Sequence, residues 1–425
     1  MRVELDFWRP VRDQIYYMFD LIRRHKLWQI FVVVLAAAFS RFTVMAWLGE
    51  RELGNDIRGF RVVAETLLAG KSVFELPILV YTYPPVWMYA AKLLRGIGDT
   101  YGVSFTLLIK LPQVFADCVV SALMVHAVAK RTADTSAPML AGLSYALNPL
   151  SIYVAAAIGQ VDPLVMGLVL GAMLLAESGR FHGFLGSGLV LGMAISLKTY
   201  PILLAPWLVW RAWMAFPRRW VAGGVAGLCI LPWALALVPF LLNGETAALT
   251  RTVQFMFLQS GSGGLAQQRG LLPALAFVGI PIRGLNAGMV SFAPALGVVG
   301  PALAWVMDQY RLLLISKVLF VIIYLVMLWY LRNGPLLKVC LLTFVMLFSV
   351  VGGFFGYYLL WPLPFAVVLR DKGVVPYSIL AFLLNVGANP GVNLVFWLFC
   401  AGWSGLLVRG LLAERRSAVQ LPPIL

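Results

Sequence analysis

A chain of 425 residues that is 61% hydrophobic and only 12% charged, with a mean hydropathy of +0.88, excludes a water-soluble globule, whose surface needs far more polar side chains. Its net charge of +15 does not mark a nucleic-acid partner, because Lys and Arg fall in short clusters between apolar segments rather than along one polar stripe, which is the positive-inside bias of a polytopic membrane protein. Cys118, Cys229, Cys340 and Cys400 all lie inside apolar stretches without CxxC spacing, so neither a disulfide framework nor a zinc site is implied.

Taken in chain order, residues 1–27 predict a cytoplasmic interfacial helix, with Phe7, Trp8, Ile15, Tyr16, Phe19 and Ile22 able to face lipid. The apolar run 28–48 predicts a retained first span rather than a signal peptide, since its basic preamble is long and the run continues past Arg41. Residues 49–102 form a long first external loop carrying interfacial helices. Segment 103–128 returns to Lys130 and Arg131, 137–156 leads out, and 163–178 comes back to Arg180. The shorter stretches 183–197 and 200–215 make a pair ending at Arg211, Arg218 and Arg219, and 220–241 leads out again. A second external segment, 243–310, has a part, 271–305, apolar enough to dip into or cross the membrane. Segments 312–331, 338–355 and 358–369 follow, and the pair 374–388 and 391–411 leaves Arg415 and Arg416 inside. Every cytoplasmic turn in this layout holds at least one Lys or Arg. The expectation is one all-α polytopic integral membrane domain, 1–425, of about 11–13 transmembrane helices, in the plasma membrane, with both termini cytoplasmic.

The external segments carry the chemistry. Asp56 follows the first span on a short amphipathic helix, where a lipid-borne substrate meets water, and is the first candidate for a general base; the plain alternative is a solvated loop carboxylate. His25, His126 and His182 all fall toward the cytoplasmic side, so acid/base work outside is left to carboxylates: Glu50, Glu52, Asp56, Glu65, Glu75, Asp99, Asp162, Glu245 and Asp308. Two turns share that side, Gly159-Gln160-Val161-Asp162-Pro163 and Leu197-Lys198-Thr199-Tyr200-Pro201. A lysine between two apolar runs is costly unless paired or bound to an anion, so Lys198 is either a phosphate ligand or a snorkelling residue. Lys110 and Asp117 fall on one helical face; Asp117 reads as a structural contact between helices, and so does Arg41. Arg251 and the run Gln267-Gln268-Arg269-Gly270 read as caps for a phosphate or sugar, or as solvated loop residues.

Together these motifs resemble the GT-C superfamily of membrane glycosyltransferases, in particular its polyprenyl-phosphate-mannose-dependent mannosyltransferase branch. The resemblance rests on Asp56 after the first span, Leu67-Leu68-Ala69-Gly70, Tyr81-Thr82-Tyr83-Pro84-Pro85, Lys110 to Asp117, Gly159 to Asp162 and Lys198 to Pro201. It covers the first half of the chain better than the second. It implies a GT-C-like bundle and inverting transfer of a sugar, mannose by expectation, from a polyprenyl-phosphate donor to a lipid-linked or glycan acceptor on the non-cytoplasmic face. Asp56 would be the base, and Lys198, Tyr200, Gln160, Asp162, Arg58, Tyr83, Arg269 and Tyr358 would bind substrate, Lys198 on the phosphate. Beyond donor, acceptor and membrane lipids no partner is implied, and no cofactor, metal or nucleic acid. One departure stands out. Where many relatives carry a His and an acidic residue ahead of a Tyr-Leu-Leu-Trp run, this chain has Phe355 and Gly356, which leaves the acceptor contacts and the exact sugar open. A transporter or flippase of a lipid-linked or small anionic solute is the alternative that Arg41, Asp117 and Lys198 keep in view.

Overall fold

The computed structural model describes residues 9–53, 55–73, 76, 83–246, 250, 268–277, 309–387 and 390–420. Glu75, Tyr81, Thr82, Arg251, Gln267, Asp308 and the apolar stretch 278–308 lie outside the described residues, as do residues 1–8.

Helix α1 (Arg9–Leu48) is continuous over 40 residues. No Pro or Gly interrupts it between Pro10 and Gly49, so the basic N-terminal stretch runs directly into the first span, which begins at Lys26. After α1 come α2 (Asn55–Leu68), α3 (Pro85–Tyr101) and α4 (Phe105–Ala129). Helices α5 (Ala137–Ala146) and α6 (Pro149–Ile152), the latter continued by a π-helical turn Tyr153–Ala157, form a pair bent by 44°. The bend falls at Asn148-Pro149, where proline cannot continue the preceding helix and Asn148 caps the next one by accepting from the Leu150 amide at 3.0 Å. Then come α7 (Asp162–Ala176), α8 (Phe181–Leu197), a 3₁₀ turn Tyr200–Leu204, α9 (Ala205–Ala215) and α10 (Trp220–Leu242). The last part holds α11 (Leu271–Phe277), α12 (Gln309–Leu331), α13 (Leu336–Val350), a 3₁₀ turn Gly356–Leu360, α14 (Leu363–Val368), α15 (Val374–Gly387) and α16 (Pro390–Gln420). A two-residue antiparallel ladder pairs β1 (Gln268–Arg269) with β2 (Phe354–Phe355), Gln268 opposite Phe355.

The protein is an all-α polytopic membrane protein. Among the described residues five helical stretches are long and apolar enough to cross a bilayer, in α1, α4, α10, α12 and α16, and the bent pair would be a sixth. Shorter apolar helices, α7, α8, α13, Gly356–Val368 and α15, complete the bundle. Of the most apolar window of α4, 61% is buried, against 22% for α1 and for α10, so α4 is the central post and the other two present a lipid-facing side. Helix α8 packs tightly on α10 because it lacks side chains there: a Cβ on Gly192 would lie 2.3 Å from the Leu228 carbonyl oxygen.

One polar junction fastens the first half. Arg41 and Asp117 are fully buried and ion-paired at 2.7 Å. Arg41 also donates to Ser151 Oγ at 2.6 Å, to Ser40 Oγ at 2.9 Å and to the Ala146 carbonyl, while Asp117 accepts from Tyr145 and Ser151, each at 2.5 Å. Asp117 is the interhelical contact expected of it, and Arg41 is turned inward onto it. At the end of the bundle marked by Lys130 and Arg180, Lys26 meets His126 at 3.1 Å, Arg131 pairs with Glu177, and Lys338 pairs with Glu414.

Removing one partner of a buried ion pair leaves the other charge uncompensated. Asp117→Asn should therefore lower stability by about 3 kcal/mol or more, read as a fall in the thermal unfolding midpoint in detergent. The double variant Arg41→Met/Asp117→Leu should recover most of that loss.

Candidate active site

Four turns at the opposite end of the bundle bring the polar residues together. Asp56 sits in the first turn of α2. Gln160 lies between the π-helical turn and α7, in a reversal made by Gly159 at φ +63°, where a Cβ would also strike Lys110 Cγ at 2.9 Å. Asp162 opens α7, with Pro163 at its first turn. Lys198 follows α8 in extended conformation and leads into the 3₁₀ turn that carries Tyr200.

Gln160 Nε2 donates to Asp56 Oδ2, and Tyr83 Oη donates to Gln160 Oε1 at 2.9 Å. Among the described residues no donor reaches Asp56 Oδ1. Lys198 Nζ donates to Asp162 Oδ2 at 2.7 Å, and Trp361 Nε1 donates to Asp162 Oδ1 at 2.6 Å, so both oxygens of Asp162 are taken. The Lys198 ammonium lies 4.5 Å from the ring centre of Tyr357, 4.8 Å from that of Tyr358 and 5.2 Å from that of Tyr83, a cation–π cage. Trp361 stacks on Tyr200 at 3.4 Å and on Tyr358 at 4.3 Å. Lys198 is only 7% exposed, which excludes the snorkelling reading.

Burial raises the Asp56 carboxyl above the ordinary carboxylate range; the Gln160 hydrogen bond and the Lys198 charge oppose the rise, and the Asp162 charge adds to it. The cluster thus joins a carboxylate with one open oxygen and a raised proton affinity to a caged ammonium, under an aromatic wall. Chemically, such a carboxylate can take up a proton and such an ammonium can face an anion. Among the described residues no group of three or more His, Cys, Asp or Glu is placed to hold a metal.

Of the residues singled out in the sequence, Asp56, Tyr83, Gln160, Asp162, Lys198, Tyr200 and Tyr358 come together here. Arg58 does not: two residues on from Asp56, it is exposed on another side of α2. Arg269 lies at the edge, on β1 opposite Phe354, with Nε donating to the Leu384 carbonyl at 3.2 Å. The other nominated carboxylates within the described residues are elsewhere: Glu52 on Arg61, Glu65 and Asp99 on Arg95, Glu245 on Ser72. Tyr357 and Trp361 also line this cluster, although nothing in their local sequence singles them out. At Gly356 a Cβ would lie 2.4 Å from Asn385 Oδ1, so the space that a side chain at this position would need is filled by Asn385.

The family model for glycosyltransferase family 87 matches residues 81–353, more than half of the chain. No curated protein matches the chain.

Proposed function

The chain belongs to glycosyltransferase family 87, a GT-C-type family of membrane glycosyltransferases, and on that premise we propose that it moves a sugar from a polyprenyl-phosphate donor to a lipid-linked or glycan acceptor, with Asp56 as general base. The observation that carries this reading is the placement of one open carboxylate oxygen, on Asp56, beside a caged ammonium, on Lys198. Asp56 Oδ1 takes the proton of the acceptor hydroxyl as its oxygen attacks the anomeric carbon. The bond from that carbon to the phosphate oxygen breaks, and the electron pair leaves with the polyprenyl phosphate, whose charge Lys198 offsets. Attack opposite the leaving group inverts the anomeric centre. Tyr83 and Gln160 orient Asp56, and Asp162 and Trp361 hold Lys198 in register. Mannose is the sugar we propose, on the resemblance of the motifs around Asp56 and Lys198. The site would face the non-cytoplasmic side, because the Lys and Arg clusters gather at the other end. Family membership leaves the transporter alternative with no observation of its own to favour it.

Asp56→Asn keeps shape and hydrogen bonding but cannot accept the proton, so turnover should fall by about 100-fold or more with donor binding largely kept. Asp56 must be ionised to act, so wild-type kcat/KM should rise with pH along an acid limb above the ordinary Asp value of about 4, and that limb should vanish in Asp56→Asn. A folded Asp56→Asn protein with wild-type transfer removes Asp56 from the mechanism. Lys198→Ala should weaken binding of a polyprenyl-phosphate sugar and slow transfer, while Lys198→Arg, which keeps the charge, should retain part of both; unchanged donor affinity in Lys198→Ala counts against the phosphate role. For sidedness, cysteines placed at Glu50 and Glu245 should react with an impermeant thiol reagent outside intact cells. Labelling only after permeabilisation inverts the topology.

A further inference from the structure

The face of α4 that looks toward α2 holds polar atoms that the fold leaves unmatched. Thr106, Lys110 and Gln113 stand at i, i+4 and i+7 on α4, hence on one side of it. Lys110 and Gln113 are fully buried. Among the described residues, Lys110 Nζ and both amide atoms of Gln113 have no hydrogen-bond partner, and neither does the buried Nε of Arg61. Buried donors of this kind are costly anywhere, and an unpaired ammonium inside a membrane-embedded bundle most of all. Among the described residues the surroundings supply a single carboxylate, Glu52. Arg61 donates to Glu52 and, at 2.9 Å, to Thr106 Oγ1; Thr106 in turn donates to Glu52 at 3.2 Å. The charge that acts on Lys110 is also that of Glu52. Two cations therefore share one anion, and the balance is positive.

This group is separate from the Lys198 cluster. The Lys110 stem passes against Gly159 and Ile57, with an ideal Cβ at Gly159 only 2.9 Å from Lys110 Cγ and 3.3 Å from Ile57 Cδ1, and no hydrogen bond links Lys110 to the Lys198 cluster among the described residues. The Asp56 carboxyl feels Lys198 and Asp162, and Lys110 is not among the charges acting on it. On the α2 side the Arg61 side chain is 37% exposed.

We propose that Arg61, Lys110 and Gln113 form a second anion subsite that takes the phosphate of a lipid headgroup. A guanidinium edge, an ammonium and an amide offer donors in three geometries, which suits a tetrahedral oxyanion with several acceptor oxygens better than a halide. The position, against an amphipathic helix that follows the first span, suits a phosphate held on a lipid; free inorganic phosphate shares the chemistry and is distinguished by the test. The proposal does not rest on Asp56 as base or on Lys198 as donor ligand.

The test uses the purified full-length protein in detergent, titrated with phosphatidylglycerol, with diacylglycerol as the phosphate-free counterpart, and with inorganic phosphate, bound species being counted by native mass spectrometry. Phosphatidylglycerol should bind and diacylglycerol should not. Lys110→Met, which keeps the stem and removes the charge, should weaken phosphatidylglycerol binding about tenfold or more, Lys110→Arg should stay within about threefold of wild type, and Glu52→Gln should tighten it. Lys198→Ala should leave it unchanged, which separates this subsite from the donor site. Thermal unfolding of Lys110→Met should match or exceed wild type, since an unpaired buried charge is gone; if that variant does not fold, Gln113→Leu is read in the same way. Wild-type phosphatidylglycerol binding in the folded Lys110→Met or Gln113→Leu protein overturns the proposal, as does equal binding of the two lipids. Binding of inorganic phosphate with none of phosphatidylglycerol overturns the lipid source.

Discussion

Hydrocarbon offers no partner to a charge, so a charged side chain carried into this bundle needs a match from the protein or from something it binds. The fold meets that demand in two ways. At the Arg41–Asp117 junction each donor and acceptor has a protein partner, from Ser40, Tyr145, Ala146 and Ser151, so nothing is left for a ligand and the junction serves to fix α1 against α4, α5 and α6. The Lys198–Asp162 pair balances charge equally well but not valence. Its ammonium has one hydrogen bond among the described residues, and its other N–H groups face aromatic rings. Charge neutrality stabilises the pair, and the remaining N–H groups of Lys198 have no protein oxygen as acceptor among the described residues.

Helix length explains why such a pair is found at a turn. Helices α7 and α8 have 15 and 17 residues, short of the roughly 20 that a straight crossing needs. Their ends at Gly159 to Asp162 and at Lys198 to Tyr200 stop inside the protein, with Gln160 only 1% exposed. Irregular backbone at that depth is tolerated only where protein or a polar cavity surrounds it. The Gly159–Gln160 reversal meets that condition, its amides returning to the π-helical turn: Ile158 to the Tyr153 carbonyl and Gln160 to the Val154 carbonyl, each at 3.0 Å. Short helices thus carry their polar end residues inward, to where Tyr83 and Trp361 can reach them.

Much of this was legible in the sequence, because the signals were local. Apolar runs closed by Lys or Arg located the helices. Charges inside or between apolar runs, at Arg41, Asp117 and Lys198, pointed to the two polar centres. What stayed hidden depends on tertiary approach. Trp361 belongs to the site because its indole N–H meets Asp162 and its ring stacks on Tyr200, two elements far from it in sequence, and no spacing within Tyr357 to Pro362 reveals that. Arg58 lies away from the cluster for the opposite reason. It neighbours Asp56 in sequence, but on a helix a two-residue step turns a side chain to another face.

The two carboxylates of the cluster are not interchangeable, and their surroundings divide the work. Asp162 stands at the N-terminus of α7, where the helix dipole favours negative charge, and both its oxygens are engaged, by Lys198 and by Trp361. A carboxylate so held has no oxygen left to face a substrate. Asp56 shares the favourable helix position, but burial outweighs it and raises its proton affinity, and only one oxygen is tied, by a neutral amide. A proton arriving on the free oxygen disturbs neither the Gln160 bond nor the Lys198–Asp162 pair. Two acids beside a common aromatic wall are thereby set apart, Asp162 with both oxygens bonded to Lys198 and Trp361 and Asp56 with one oxygen open. The roles proposed for Asp56 as base and Lys198 as phosphate ligand call for that difference.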